Sequence, residues 1–199
     1  MSHRVRRLYN YLDVRRRAAS VAAPTSYDHT ISSNADDGNY IVGFLWVTSG
    51  CTAADNGGSG VGEQEGDSIA GWSFPNVPLT TCSNAMLTLD RTEVVAGTIR
   101  IYGDDNDASA SSQYSNSYFP VFNSNGPTTA FQAIATTTGS FGVNVTLIVQ
   151  EIMGSAFYAA GGRINFSATA YSTGATCEFG HVHPTLGNVG TPARLQITA

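Results

Sequence analysis

Lysine is absent from this chain of 199 residues, and all ten of its basic residues are arginine. Charge of either sign is scarce, at 13 % of residues, against roughly 25 % in an average soluble domain. Thr, Ser, Gly, Asn and Ala take that place, a surface of short polar side chains that disfavours long helices. No apolar run approaches the ~20 residues that a membrane-crossing helix needs, so no membrane partner is expected. After Arg4–Arg7 the stretch Leu8–Asp13 is too short and too polar for the core of a secretory signal. The expectation is a protein made and assembled in a cytoplasm. Cysteine is rare as well: Cys51, Cys82 and Cys177 are odd in number, widely spaced and form no C-x-x-C pair. They read as buried free thiols, with one disulfide and a leftover thiol as the alternative.

Catalytic signals are missing too. There is no G-x-S-x-G elbow. The run Gly57-Gly58-Ser59-Gly60-Val61-Gly62 lacks the strand-to-helix context and the Lys of a phosphate loop, and reads as a flexible loop. No spacing of the acids marks a general-acid/base pair. The sequence makes no case for an enzyme.

What is present is segregated charge. Residues 1–17 hold six arginines (Arg4, Arg6, Arg7, Arg15, Arg16, Arg17) against Asp13, a formal +5. The remainder holds four arginines against fourteen acids, a formal −10. Within the arm, Val5, Leu8 and Leu12 fall at i, i+3 and i+7, so residues 4–19 read as a short amphipathic helix or an extended arm. A helix of that length is marginal alone in water and folds against something. Residues 1–24 are therefore expected as a basic docking arm and linker, closed by Pro24, and 25–199 as one domain.

From about Asp28 the pattern is strand and turn. Tyr40–Thr48 is a near-continuous apolar run that reads as one buried strand. Residues 49–67 and 104–130 read as long polar loops, the kind that is functional or mobile. Ser68–Phe74, Ala85–Leu89, Thr98–Tyr102 and Ala193–Thr198 read as strands. Val143–Val149 reads as a strand running into a helical turn, with Val149, Ile152 and Met153 at helical spacing. In Ile164–Tyr171 alternation puts Ile164, Phe166, Ala168 and Ala170 on one face and Asn165, Ser167, Thr169 and Tyr171 on the other. About eight short strands without strand–helix alternation predict an all-β fold, an antiparallel β-sandwich of jelly-roll type.

Four segments carry a resemblance. Ile69–Leu79 (IAGWSFPNVPL), Cys82–Leu89 (CSNAMLTL), Val145–Ile164 (VTLIVQEIMGSAFYAAGGRI) and Pro192–Ile197 (PARLQI) follow one another in order. They resemble a strand and proline turn, a second strand, a helix-to-strand segment and a closing strand of the DNRLRE-type jelly-roll family. That family occurs in bacteriophage structural proteins and in cell-surface carbohydrate-associated modules. The likeness spans roughly residues 68–199 and implies the jelly roll. The chain departs from the pattern where Phe157-Tyr158 stand in place of a usual Trp.

Several groups are candidate sites. Arg4, Arg6, Arg7, Leu8, Leu12, Arg15, Arg16 and Arg17 would dock the arm on an acidic protein surface. Nucleic acid is not the expected partner, because the −10 body repels phosphates beyond the arm. Tyr114, Tyr118, Phe119 and Phe122, set among Ser and Asn, are candidate contacts for a glycan or a neighbouring subunit, with Trp72 as a further stacking platform. Asp104, Asp105 and Asp107 form an oxygen-rich cluster that could hold structural calcium; a solvated acidic turn is the plainer reading. His181 and His183, at i and i+2, fall on one face of a strand and are a candidate transition-metal pair; a polar loop before Pro184 is the plainer reading. No other cofactor is expected.

Together these features lead to a bacteriophage virion structural protein, a capsid decoration or a neck or tail accessory component, anchored by its arm. It would pack with other virion proteins and with copies of itself as a homo-oligomer. The alternative is a carbohydrate-binding module, with a host surface glycan as partner.

Overall fold

A computed structural model of the protein describes residues 23–41, 46–48, 50–54, 68–95, 98–104, 127–134, 138–171 and 175–199. The described residues form an all-β, antiparallel sandwich of jelly-roll type with one helix. The strands, in chain order, are β1 (Ser26–Thr30), β2 (Asp37–Ile41), β3 (Trp46–Val47), β4 (Thr52–Ala54), β5 (Ser68–Val77), β6 (Asn84–Val95) and β7 (Ile99–Asp104). They continue with β8 (Pro127–Ile134), β9 (Gly139–Asn144), the helix α1 (Thr146–Gly154), β10 (Gly162–Ala170), β11 (Thr176–Phe179), β12 (His181–His183), β13 (Gly187–Val189) and β14 (Arg194–Thr198).

One layer runs β3-β2-β5-β10-β7-β8 and the other β1-β14-β6-β9. The chain crosses between them repeatedly, from β5 to β6, from β6 to β7 and from β8 to β9, while the first strand lies beside the last. Strand β6 serves both layers. Asn84–Thr88 pair with β14, Arg91–Val95 pair with β11, and Met86–Arg91 pair with β9 on the opposite edge. Strand β11 pairs β4, and β4 meets β5 where Ala54 lies opposite Ser68. The layers are thus joined along one side. On the other side β8 pairs only β7 and β9 only β6 among the described residues.

Alternation decides the core. In β7, Ile99 and Ile101 point inward while Arg100 and Tyr102 point outward. In β6, Ala85, Leu87 and Leu89 are buried, and in β10 Ile164, Phe166, Ala168 and Ala170 are, as the sequence pattern predicts. Phe166 lies opposite both Trp72 and Gly103. Edge-on rings tie the interior together: Trp72 meets Phe179 at 5.0 Å and Phe74 meets Phe166 at 6.0 Å. Each buried side chain of this size contributes about 2–3 kcal/mol by leaving water.

Helix α1 follows β9 as the helical spacing of Val149 and Ile152 requires. Its first N–H groups are served locally, with Thr146 N donating to Asn144 Oδ1 at 3.0 Å. Ile148, Val149 and Ile152 face the core. The helix can approach β7 because position 103 is glycine; a Cβ there would lie 2.5 Å from the Ile148 methyl group. Beyond the helix stands the half-buried Tyr158. It packs on the core and its hydroxyl reaches the carbonyls of Leu79 (2.8 Å) and Val77 (3.1 Å).

Expectations on three segments are overturned: β4 lies within 49–67 and β8 begins within 104–130, so neither stretch is a loop throughout, and the apolar run is divided. Tyr40–Thr48 is not a single strand: β2 and β3 fold back on each other, with Tyr40 opposite Trp46 and Asn39 opposite Val47. Unbroken apolarity cannot separate one long strand from two short paired ones, and Gly43 sits within the run. The cysteines stand as read, all three buried and free.

Candidate functional site

Most residues singled out in the sequence lie outside the described residues. These are the arm positions Arg4, Arg6, Arg7, Leu8, Leu12, Arg15, Arg16 and Arg17, the rings Tyr114, Tyr118, Phe119 and Phe122, and the acids Asp105 and Asp107. Asp104 closes β7 opposite Pro127, half-buried.

Trp72 is corrected. In Ala70-Gly71-Trp72-Ser73-Phe74 the inward series is Ala70, Trp72 and Phe74, and Trp72 is 0 % exposed. It packs against Phe179 in the interior and offers no face to a sugar.

Directly opposite Trp72 on the neighbouring strand stands Asp37. It is fully buried, and Val182 N donates to its Oδ2 at 3.0 Å. Its Oδ1 has no hydrogen-bond partner. Loss of water raises the carboxyl to about 7; the single backbone donor at Val182 lowers it only in part, and the like charge of neighbouring Asp36 raises it further. Trp72 Nε1 and His181 Nε2 are likewise buried without a hydrogen-bond partner. Burial of the Cys51 thiol, with Asp37 close by, holds it well above its usual range. A carboxylic acid, an indole N–H and an imidazole nitrogen buried without partners are groups that internal water commonly satisfies.

The histidine pair shares β12 as its spacing predicts, with ring centroids 6.2 Å apart. The two rings have different duties. His181 is buried, and its Nδ1 lies 3.1 Å from the Phe179 carbonyl, so Nδ1 carries the hydrogen. His183 Nδ1 accepts from the N–H groups of Thr185 and Leu186, both at 3.2 Å, and shapes the turn into β13. Among the described residues, no three His, Cys, Asp or Glu side chains are grouped to hold a metal ion.

The exposed chemistry gathers elsewhere, on the outer face of β7, β8 and β10. Arg100 lies opposite Ala133 on one side and Thr169 on the other; Tyr102 lies opposite Phe131 and Ser167. The Arg100 guanidinium carbon sits 3.1 Å from the ring centre of Tyr171 and 4.3 Å from that of Phe131. Tyr102 and Phe131 stand 5.6 Å apart. Side-chain hydrogen bonds to Tyr102 and Tyr171 fix the guanidinium further. Phe131 and Tyr171 remain 41 % and 44 % exposed. Three rings around a held cation form a patch suited to apolar and polar contact at once. Alternation in Thr98–Tyr102 already points Arg100 and Tyr102 outward. Phe131 and Tyr171 arrive through strand pairing across distant sequence, which a single sequence does not display.

Among the described residues no helix is long and apolar enough to cross a membrane. No protein-family model matches this chain, and no curated protein does.

Proposed function

We propose that the chain is a structural component of a bacteriophage virion, a sandwich module fixed to a larger particle by its N-terminal arm. The observation that carries this reading is the division of charge: six arginines precede a body with a formal charge of −10. The sandwich supports it in one respect. Its first strand, β1, is an edge strand that pairs only β14 among the described residues, so the arm joins the domain at its rim. Arginine forks recognise carboxylates on a partner, and such contacts set orientation and rate of docking. Deleting residues 1–20 tests the reading. The shortened chain should remain folded and soluble yet fail to enter particles; normal incorporation would sink the proposal.

A second reading, carbohydrate binding, is favoured by the exposed cluster of Tyr102, Phe131 and Tyr171 around Arg100. Exposed rings stack on sugar faces, and the guanidinium supplies donors beside them. A glycan array should then give hits that vanish with Tyr171→Ala; a blank array counts against it.

A further inference from the structure

The two-stranded sheet β12–β13 stands apart from the main sheet and shares no ladder with it among the described residues. Its strands pair His181 with Val189, Val182 with Asn188 and His183 with Gly187. Three residues, Pro184, Thr185 and Leu186, therefore close the hairpin. Gly187, at φ +76°, is the left-handed residue that a loop of this length takes after its turn. The base of the hairpin is pinned at Asp90, whose carbonyl accepts from Gly180 N and whose Oδ2 accepts from Thr191 N, both at 2.8 Å. Midway, Val182 N donates to Asp37.

At the tip the hairpin holds itself. His183 Nδ1 is the common acceptor for Thr185 N, Leu186 N and Thr185 Oγ1, each at 3.2 Å. A ring nitrogen that accepts from two N–H groups bears no hydrogen, so the ring is neutral and its own hydrogen sits on Nε2. Imidazole here fills the place that Asn or Asp usually takes at the head of a turn. It differs from an amide in one respect: both ring nitrogens of the cation are donors, so protonation abolishes the acceptor. With three donors on Nδ1, His183 serves the turn and not a metal ion.

We infer that the β12–β13 tip is a proton-operated latch. Neutral His183 closes the turn and fixes Leu186, which is 75 % exposed. Protonated His183 turns an N–H toward two backbone N–H groups, and the turn opens and frees Leu186. The latch is thus closed at high pH and open at low pH. Imidazole is the side chain whose charge changes between about pH 5 and 8, and His183 is only half-buried, within reach of solvent. An apolar side chain carried on such a turn becomes a contact whose presentation depends on acidity.

Other titratable groups face the hairpin from the elements packed on it. His181 shares β12, its ring centroid 6.2 Å from that of His183. Gly187–Val189 of β13 bring none. Strand β2 brings Asp37, with Tyr40 on its opposite face. Asp90 serves the base. Asp37 changes charge near pH 7, inside the same range, so the experiment includes a variant that removes it.

Nuclear magnetic resonance of the full chain, titrated from about pH 8 to about pH 5, reads the latch directly. The backbone amide protons of Thr185 and Leu186 should move along one curve with the ring protons of His183. Their exchange with water, relative to an unfolded chain at the same pH, should rise about tenfold at the acid end, as loss of an ordinary hydrogen bond implies. His183→Asn keeps an acceptor that does not titrate, so both amides should stay protected throughout. His183→Phe has no acceptor and should leave them open throughout. Asp37→Asn should keep the transition of the parent. Amides that hold still while the His183 ring titrates overturn the proposal. So does a transition that persists in His183→Asn, or one that vanishes in Asp37→Asn, which would move the switch to the buried carboxyl.

Discussion

Asp36 and Asp37 are neighbours in sequence, both buried, and the fold treats them in opposite ways. Asp36 is answered: Arg163 donates to its carboxylate at 2.7 Å and to Ser73 Oγ at 3.1 Å, while Ser73 Oγ donates to Asn165 at 2.6 Å. Its backbone carbonyl also accepts from Ser73 N at 2.7 Å. Asp37 has one backbone donor and an oxygen without a partner. The difference is one of direction. Adjacent residues entering a strand point to opposite faces. One carboxylate meets the arginine of β10, and the other enters the apolar interior beside Trp72. Two identical groups one residue apart thus become a structural ion pair and a protonatable core residue.

Breaking the satisfied member should have the largest effect. Asp36→Ala leaves the Arg163 guanidinium, 23 % exposed, without its carboxylate. Removal of one partner from a buried pair costs about 3–5 kcal/mol; partial exposure of the arginine moderates this to about 2–3 kcal/mol. Denaturant unfolding at neutral pH checks it, and a loss below 0.5 kcal/mol (about the error of such comparisons) would show that the network carries little.

Removing the unsatisfied charge should act in the reverse sense. The carboxyl of Asp37 is raised to about 7 when folded, against about 4 when unfolded. The folded state therefore holds this proton more tightly than the unfolded chain. Its contribution to stability is complete below about pH 4, is lost as pH rises to about 7, and is flat above. Asp37→Asn should flatten that profile and gain about 2 kcal/mol above pH 7, with Asn still accepting from Val182 N. Unfolding curves at pH 5 and pH 8 decide the matter; a parent protein equally stable at both would contradict it.

The sequence displays the inward series of β5, β6, β7 and β10 and the helix after Val145, because periodicity is a local signal. It conceals everything that depends on partners. Nothing local marks Asp37, yet it begins a strand inside the core. Trp72 attracts attention as a binding ring because of its type, whereas its parity with Ala70 and Phe74 already marks it as core. Arg91 stands at an inward position of an alternating strand, a visible anomaly; that it shares a groove with Gln132 and Asn144 is not visible in the pattern. Phe131, Arg100 and Tyr171 meet through registers that link residues 30 to 70 positions apart. No local pattern encodes those registers.

Two further carboxylates, Glu151 and Asp28, sharpen the same contrast at lower amplitude. Glu151 satisfies the edge of β8 through three contacts. Glu151→Ala should cost about 1–2 kcal/mol, as lost hydrogen bonds to a charged group do. It also uncovers strand edge, and edges recruit other strands, so the variant should self-associate more than the parent in light scattering. Asp28 pairs with Arg194 by two contacts across β1 and β14, but both side chains are exposed, at 49 % and 45 %. Water and salt already satisfy such groups, so their geometry carries little energy. Asp28→Asn should therefore leave the midpoint of unfolding where it is, at low salt and at high. A clear loss at low salt that disappears at high salt would mean that β1 is held by charge, and that the rim from which the arm departs is less firmly built than its strand pairing implies.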